Sequence, residues 1–357
     1  MIVPIPPEFY AKAQELVRST PLVLAGSGFS CGFGLPGMAA LGHHLSTSVE
    51  PKLTTKEAVS LWQRVLPDVV SDLEAGLNSI PNGAEGRSEL IDVIRSETAH
   101  IITAEYSRAE NAILNHTTPA ALAPARLIQR LFGGASQNAE AIPIITTNYD
   151  TLIELFCDLA GVPVDTGFDG YQRRAARFPS LFQTTYGRRV VSTRGGGKYE
   201  HPPRKNIRLI KPHGSITWHT TPSGPFEILG SASPDPRAIV VPGPTKYEDA
   251  LVNTLFDTLR NEMNIAVNRA ESLFCIGFGF NDAHLQGMIE ARLQAGMPTL
   301  MLNKALTPNL EAALARHPHL IAVVETASGS SIRIGTDQTD VREPIWQLDT
   351  FLKTLIE

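Results

Sequence analysis

Apolar runs that lead into small or polar residues recur along this chain. They cover residues 21–25, 141–146, 207–211 and 272–276, and glycine, asparagine or histidine follows each of them within two residues. Further apolar runs lie at 238–241, 298–302 and 320–324, with helical periodicity between most of the runs. Continuous apolar runs are typical of parallel strands that are covered on both faces. The pattern therefore predicts an α/β fold with a Rossmann-like, doubly wound parallel sheet.

Residues 51–135 have a different pattern and predict an α-helical insertion between the first two strands of the sheet. Pro67 predicts a kink or break in its first helix. Its last helix should begin at Thr118-Pro119 and end at Gly133-Gly134. The apolar residues that recur at helical spacing in the first part are Trp62, Val65, Leu66, Val69, Val70 and Leu73.

The length of 357 residues allows one large α/β domain or two smaller ones. Since the strand signals continue on both sides of the insertion, we expect residues 1–357 to form a single domain. Residues 340–357 predict a C-terminal amphipathic helix. The apolar residues of that helix are Trp346, Leu348, Phe351, Leu352 and Leu355.

The composition is that of an ordinary soluble protein, with 43% hydrophobic and 19% charged residues. No apolar run approaches the roughly 20 residues that cross a bilayer, and residues 1–7 lack the features of a secretory signal. Cys31, Cys157 and Cys275 are too few and too scattered for a disulfide framework or a Cys-x-x-Cys zinc site. We therefore expect a cytoplasmic protein without membrane contact and without a metal.

Charge is distributed unevenly along the chain. A net charge of −5 argues against general nucleic-acid binding, yet residues 173–208 hold ten Lys or Arg residues and one acid, Glu200. A solvated loop explains this composition, and so does an electropositive flap over a phosphate ligand or a docking surface. Residues 194–198, rich in glycine, predict a mobile loop within this segment.

The turn Gly26-Ser27-Gly28-Phe29-Ser30 follows a strand and precedes a helix. Backbone N–H groups at such a turn hold a pyrophosphate when glycines let the phosphate approach. A tight strand-to-helix turn without a ligand explains the sequence equally well. Cys31 stands where a third glycine would complete the dinucleotide fingerprint, and no strand ends in an acid ~20 residues later. These two departures argue against a standard dehydrogenase.

Two later strand ends carry the candidate catalytic groups. Residues 146–150 present two hydroxyls, the Asn148 amide and the Asp150 carboxylate where open α/β sheets bind ligands. The alternative is that Asn148 or Asp150 caps the following helix, which does not exclude a ligand role for the other residue. His213 stands at the next strand end, where it is a candidate general base, although a lone histidine is more often structural.

Residues 277–282 repeat the sequence of a strand followed by glycines. Asn281 and Asp282 either contact a ligand there or cap the helix that follows.

Taken together and in this order, these segments resemble the sirtuin-like superfamily, and specifically its bacterial branch of NAD-consuming effectors of antiphage defence. The resemblance covers roughly residues 20–325. Residues 26–30 with 34–36 resemble the first NAD-binding motif, and residues 147–150 resemble the asparagine and aspartate motif. Residues 213–215 are similar to the motif of the catalytic histidine.

Three further segments are similar to motifs of the same branch. Residues 166–170 and 277–282 resemble motifs that distinguish it from the protein deacylases, and residues 302–304 resemble its strand-end asparagine near the adenosine. The chain lacks the four-cysteine zinc module of the deacylases. Met38 falls near the position where an aromatic residue often follows the Gly-x-Pro, on the nicotinamide side of the site.

The resemblance implies a NAD+ glycohydrolase that uses NAD as its substrate, needs no metal and acts by depleting NAD. Asn148 would position the ribose and the attacking water, His213 would accept a proton, and Asp150 would orient the site or stabilise positive charge. The NAD-binding residues that it implies are Gly26, Ser27, Gly28, Ser30, Pro36, Thr147, Ser215, Gly277, Phe278, Gly279, Asn281, Asp282 and Asn303.

The resemblance further implies a homo-oligomer that docks on a separately encoded hexameric DNA-translocating ATPase, without direct nucleic-acid binding by this chain. Two other functions stay open. One is a non-catalytic module that binds NAD or ADP-ribose and signals through a partner. The other is an NAD-dependent protein deacylase, against which the missing zinc module argues.

Overall fold

The computed structural model describes residues 4–115, 122–136, 141–192, 198–230, 236–241, 250–281 and 283–357. Sixteen strands lie in these residues: β1 (Leu22–Ala25), β2 (Ala141–Thr146), β3 (Val164–Asp165), β4 (Phe168–Gly170), β5 (Arg173–Ala176), β6 (Arg189–Ser192), β7 (Lys198–Glu200), β8 (Asn206–Ile210), β9 (Gly214–Thr221), β10 (Gly224–Ile228), β11 (Arg237–Ile239), β12 (Leu273–Ile276), β13 (Thr299–Asn303), β14 (Leu320–Thr326), β15 (Gly329–Ile334) and β16 (Asp337–Val341).

Twelve α-helices lie in the same residues: α1 (Pro7–Arg18), α2 (Ser27–Cys31), α3 (Met38–Ser48), α4 (Lys56–Ser71), α5 (Leu73–Asn78), α6 (Arg87–Asn115), α7 (Ala123–Gly134), α8 (Leu152–Ala160), α9 (Ala250–Arg269), α10 (Ala283–Gln294), α11 (Pro308–Arg316) and α12 (Leu348–Phe351). A 3-10 turn at Glu50–Lys52 and a π turn at Leu352–Ile356 complete the helical elements. None of the helices in the described part of the chain is long and apolar enough to cross a membrane.

A nine-stranded mixed sheet forms the centre of the fold, in the order β16-β15-β14-β13-β12-β1-β2-β8-β3. The seven strands from β14 to β3 are parallel to one another, while β15 and β16 continue the sheet in antiparallel direction. All residues of β1, β12 and β13 are buried, because helices cover both faces of the sheet. The predicted fold class, an α/β protein with a Rossmann-like parallel sheet, is confirmed.

One predicted strand belongs to a second sheet. Six of the seven apolar runs form strands of the large sheet, but β11 lies in a five-stranded antiparallel sheet of order β11-β9-β10-β5-β4. The reason is local, since the chain reverses after β8 at Gly214, which has a φ of +84°. β9 then pairs with β11 in antiparallel direction, so β11 belongs to the second sheet and not to the large one.

A helical module lies between β1 and β2 in the sequence. Helices α3 to α6 share a hydrophobic core of their own, centred on the fully buried Trp62. Helix α4 runs on through Pro67 to Ser71 as one element. Helix α7 instead packs Leu127 and Leu131 into the core against the sheet. The predicted start of this last helix, at Thr118-Pro119, lies outside the described residues.

The C-terminal segment differs from a helix over 340–357. Residues 337–341 form β16, since the turns at Gly329 and Gly335 create an antiparallel edge that helical periodicity does not reveal. The helical part begins at Leu348, and Phe351 and Leu355 are buried against the sheet core.

The substitution Gly76→Ala should destabilise the protein, because α4 and α5 touch there backbone to backbone. A methyl group at Gly76 would lie 2.3 Å from the backbone nitrogen of Val69, so the two helices would have to separate. Overpacking of this kind costs about 1–3 kcal/mol, which a urea titration followed by circular dichroism measures.

The matched control is Gly287→Ala, within α10. A methyl group at Gly287 meets no atom within 4 Å, and alanine is the better helix former by about 1 kcal/mol. The control should leave stability unchanged or raise it. Equal unfolding midpoints for the two variants would contradict the close contact of α4 with α5.

Candidate functional site

The carboxyl ends of β1, β2, β8, β12 and β13 surround a cavity of about 430 Å³. Open α/β sheets bind their ligands at this edge, because loops on opposite sides of the sheet leave a crevice there. The cavity brings together predicted site residues from segments far apart in the sequence. They are Ser27, Gly28, Ser30, Pro36, Thr147, Asn148, Asp150, His213, Gly277, Phe278, Gly279, Asn281 and Asn303.

Two predicted site residues, Gly26 and Ser215, do not line this cavity. Gly26 lies beneath the wall and contributes only its carbonyl oxygen, which accepts a hydrogen bond from Asn148. Ser215 is fully buried, and its hydroxyl bonds to groups of the protein interior. Asp282 lies outside the described residues. Of the loop predicted at residues 194–198, residues 194–197 also lie outside them, and Lys198 begins β7.

The glycines of the first turn serve the close packing of backbone against backbone. A Cβ at Gly26 would lie 2.5 Å from the carbonyl oxygen of Gly277, and one at Gly28 would lie 2.8 Å from the Gly277 Cα. Gly277, with a φ of +64°, would bring its own Cβ within 2.1 Å of the Phe29 nitrogen. The three glycines are therefore required for the contact of the β1 turn with the β12 turn.

Three backbone N–H groups of the turn are used in hydrogen bonds within the protein. The N–H of Gly26 donates to Ile276, that of Gly28 donates to Gly277, and that of Phe29 donates to Gly26. These three N–H groups are thus committed to hydrogen bonds within the fold. The Ser27 side chain, which is exposed to the cavity, is the polar group that the turn offers to a ligand.

Asn148, Ser30 and Asp150 form a buried relay of hydrogen bonds. The Asn148 amide nitrogen donates to the Gly26 carbonyl (2.8 Å) and to the Ser30 hydroxyl (2.7 Å). The Ser30 hydroxyl in turn donates to Asp150 Oδ2 (2.6 Å). Because both N–H groups of the amide are used, its Oδ1 is the atom that can accept a hydrogen bond from a ligand.

Asp150 also caps the helix that follows it. Its Oδ1 accepts the backbone N–H of Leu152 at the start of α8 (3.1 Å), so the capping role that the sequence allows falls to this residue. The side chain is nevertheless part of the cavity wall. A carboxylate that is almost fully buried gives this part of the cavity a strong negative potential.

His213 is half-buried and faces the cavity from the loop after β8. The end of β11 supports this loop, because the Val240 N–H donates to the His213 carbonyl (2.9 Å). The Val240 carbonyl accepts the Tyr149 hydroxyl (2.8 Å), so the same strand end also holds the loop of Asn148. The second sheet thereby supports both candidate catalytic loops.

The helical module supplies the opposite wall. Met38 and Leu41 from α3, Glu74 from α5 and Ile102 from α6 line the cavity. Met38 is 39% exposed, which fits a residue that faces the opening. Glu74 carries no sequence signal of a site, because it lies in an ordinary helical stretch, and only the packing of α5 brings it here.

At the far end of the cavity, the carboxyl end of β13 presents Asn303. Its amide nitrogen donates to the Phe278 carbonyl (2.8 Å). Its Oδ1 is buried and has no hydrogen-bond partner among the described residues. Buried acceptors are nearly always satisfied, so this oxygen in the cavity wall is available to a donor such as water or a ligand hydroxyl group.

The cysteines are not nucleophiles. Burial raises the pKa of the Cys157 and Cys275 thiols, both within the core. Burial and the negative charge of Asp150 likewise raise the pKa of Cys31, which lines the cavity. All three thiols therefore stay protonated and weakly reactive near neutral pH.

Ser30→Ala should lower the free energy of unfolding by about 1–3 kcal/mol, because it removes one hydrogen bond from the buried Asn148 amide and one from the buried Asp150 carboxylate. A denaturant titration measures this loss. Ser27→Ala is the control in the same turn, and it should leave stability unchanged because that side chain is exposed. Equal stability of the Ser30 variant and the wild type would contradict the relay.

Comparison with known proteins gives one domain match. The sequence model of the SIR2-like domain matches residues 143–301, from β2 to β13. A comparison with curated proteins found no significant match.

Three solved structures show likeness at low sequence identity. One is a triple mutant of a Sir2 homologue in complex with 2′-O-acetyl ADP-ribose (14% identity, 99% of both chains, TM-score 0.45). The second is a Sir2 enzyme solved to study mechanism and regulation (13% identity, 97% of this chain and 96% of the other, TM-score 0.42). The third is a complex of a Sir2 homologue with NAD (14% identity, 87% of both chains, TM-score 0.39). Over residues 143–301, the chain is thus similar to the SIR2-like domain.

Proposed function

We propose that the protein hydrolyses NAD+ at the bond between nicotinamide and ribose. Water attacks C1′ of the ribose, the electron pair of the broken bond goes to nicotinamide, and the products are nicotinamide, ADP-ribose and a proton. The observation that carries this proposal is the grouping of Asn148, Asp150 and His213 around one cavity, beside the turn of Ser27.

The cavity fits a dinucleotide in size and in polarity. Its volume of about 430 Å³ is within the range of small-molecule sites, about 300–1,000 Å³. The Ser27 hydroxyl is available to a phosphate oxygen, and Asn303 Oδ1 lacks a donor that a ribose hydroxyl supplies. Met38, Leu41 and Ile102 give one wall an apolar surface suited to a flat ring.

Cleavage of this bond places positive charge on the ribose. The bond breaks through an oxocarbenium-like state, which a nearby negative charge stabilises. Asp150 provides that charge, and its two hydrogen bonds, from Ser30 and from Leu152, hold the carboxylate in place before the reaction begins. Because the carboxylate is buried, its field is screened less than it would be in water.

Asn148 and His213 act on the hydroxyl groups and the water. Asn148 Oδ1 accepts a hydrogen bond from the ribose or from the attacking water and thereby orients it. His213 accepts the proton that the water loses, since it faces the cavity and an imidazole is the most frequent general base in enzymes. This assignment gives each of the three residues a separate task.

A second candidate function is a non-catalytic module that binds NAD or ADP-ribose. One observation favours it, namely that the Asn148 amide and the Asp150 carboxylate are satisfied by hydrogen bonds within the protein. A site of this kind binds without turnover, so the test below separates the two candidates.

The biological role that we propose is NAD depletion in antiphage defence, by a homo-oligomer that docks on a separately encoded hexameric ATPase. The motifs at residues 26–36, 147–150 and 213–215 support this role through their resemblance to that branch of the family. Light scattering of the purified protein, alone and with the ATPase, tests the assembly.

Asn148→Ala and His213→Ala should each lower the rate of nicotinamide release by about 100-fold or more. Chromatography of nicotinamide and ADP-ribose after incubation with NAD+ measures the rate, and circular dichroism verifies that each variant is folded. Near-normal turnover in either variant would remove the role assigned to that residue. Tight binding of NAD+ by the wild type without release, both alone and with the partner, would favour the non-catalytic module.

Ser27→Ala should raise the KM for NAD+ several-fold and leave kcat within about twofold, since this hydroxyl is assigned to substrate binding and not to the reacting bond. Steady-state kinetics measures both constants. A loss confined to kcat would indicate that Ser27 acts on the reacting bond and does not bind the phosphate.

A further inference from the structure

Lys211 is a charged residue in the protein interior that the proposed mechanism does not use. It follows β8 directly, and its side chain is fully buried. An isolated ammonium group in the interior is strongly unfavourable, so its partners must compensate for the lost water.

The ammonium group has three hydrogen-bond acceptors, one for each of its protons. It donates to Glu154 Oε1 on α8 (2.9 Å), to the Ser215 hydroxyl (3.2 Å) and to the backbone carbonyl of Asp150. The three acceptors lie on three different segments. Lys211, in the loop after β8, therefore joins α8, the loop after β2 and the start of β9.

Two of these segments contain or adjoin the candidate catalytic groups. The Asp150 carbonyl is two residues beyond Asn148, and Ser215 is two residues beyond His213. The two loops also bond to each other, since the Ser215 hydroxyl and the Ile216 N–H both donate to the Tyr149 carbonyl (3.2 and 2.8 Å). The position of the ammonium group thus affects the separation of Asn148 from His213.

Hydrophobic packing does not require a lysine at position 211. Ile207 and Leu209, which share its face of β8, are apolar and fully buried, and an apolar side chain at position 211 would avoid the cost of burying a charge. Buried ion pairs are instead associated with a unique geometry of the groups that they join. Burial also raises the pKa of Glu154, while Lys211 opposes that rise.

We propose that Lys211 is a positioning residue of the site. Held by Glu154, its ammonium group sets the distance between Asn148 and His213, and so determines turnover and not the affinity for substrate. The inference rests on the proposed function, because turnover means NAD+ hydrolysis.

The test is the double variant Lys211→Met/Glu154→Gln. Lys211→Met alone leaves the Glu154 carboxylate without its cation and endangers folding, whereas the double variant removes both charges and keeps the volumes similar. The matched control is Arg208→Met/Glu262→Gln, which removes a half-buried ion pair (3.6 Å) that joins the same strand to α9. Measurements are kcat and KM for NAD+, the melting temperature, and amide hydrogen exchange of residues 147–151 and 212–216.

The expected result is a fall in kcat of about 10-fold to 100-fold with KM within about threefold of the wild type, because a displacement of about 1 Å is enough for such a loss. Hydrogen exchange should become faster in the two loops and not elsewhere, at a melting temperature close to that of the control. The control should keep its kcat.

Unchanged kcat in the double variant would overturn the proposal. A fall of kcat together with faster exchange throughout the protein would overturn it as well, since that result describes a general loss of stability. If the wild type does not hydrolyse NAD+, the proposed function is wrong. Hydrogen exchange is then the measurement that tests the positioning role of Lys211. Faster exchange confined to the two loops then supports the positioning role, and unchanged exchange refutes it.

Discussion

The contact between the turns after β1 and β12 is the constraint on which the site depends. Gly26 and Gly28 lie against the backbone of Gly277 at distances that leave no space for a Cβ on any of the three. This contact lets β1 and β12 remain paired up to their carboxyl ends. The cavity floor, the Ser27 hydroxyl and the buried Ser30 all take their positions from it.

Ser30 extends this constraint to the next strand end. Its hydroxyl lies between the Asn148 amide and the Asp150 carboxylate, so the loop after β2 is tied to the turn after β1. Hydrogen bonds of Tyr149 and Lys211 then connect the loop after β2 with the segment around His213. Each candidate catalytic group therefore has a position determined by backbone contacts or by buried hydrogen bonds, which is the condition for an electrostatic site to act without reorganisation.

Periodicity predicted the elements that local sequence determines. The apolar runs at 21–25 and 272–276 are buried central strands, as their uninterrupted hydrophobicity indicates. The antiparallel sheet of β9 to β11 was not predicted, because its direction depends on a single reversal at Gly214. The edge strand at residues 337–341 was not predicted either, since alternation there is weak and the pairing partner determines the strand.

At the site, too, local sequence predicted some features, and tertiary packing determined the others. The motifs indicated which strand ends carry polar groups, and the cavity brings those ends together. They did not indicate how the groups are bonded. The commitment of the Gly28 N–H to Gly277 and the burial of Ser215 follow from tertiary packing, as does the presence of Glu74 from the helical module.

The two walls of the cavity come from different parts of the fold, and this affects how the site can change during evolution. One wall comes from strand ends whose geometry is shared with the centre of the sheet. The other wall includes Met38 and Leu41 of α3, a helix that shares a separate hydrophobic core with α4 to α6. Substitutions on the helical wall can change which molecule fits without disturbing the backbone contacts that hold the candidate catalytic groups. Selectivity and chemistry are thus encoded in different stretches of the chain and are free to evolve at different rates.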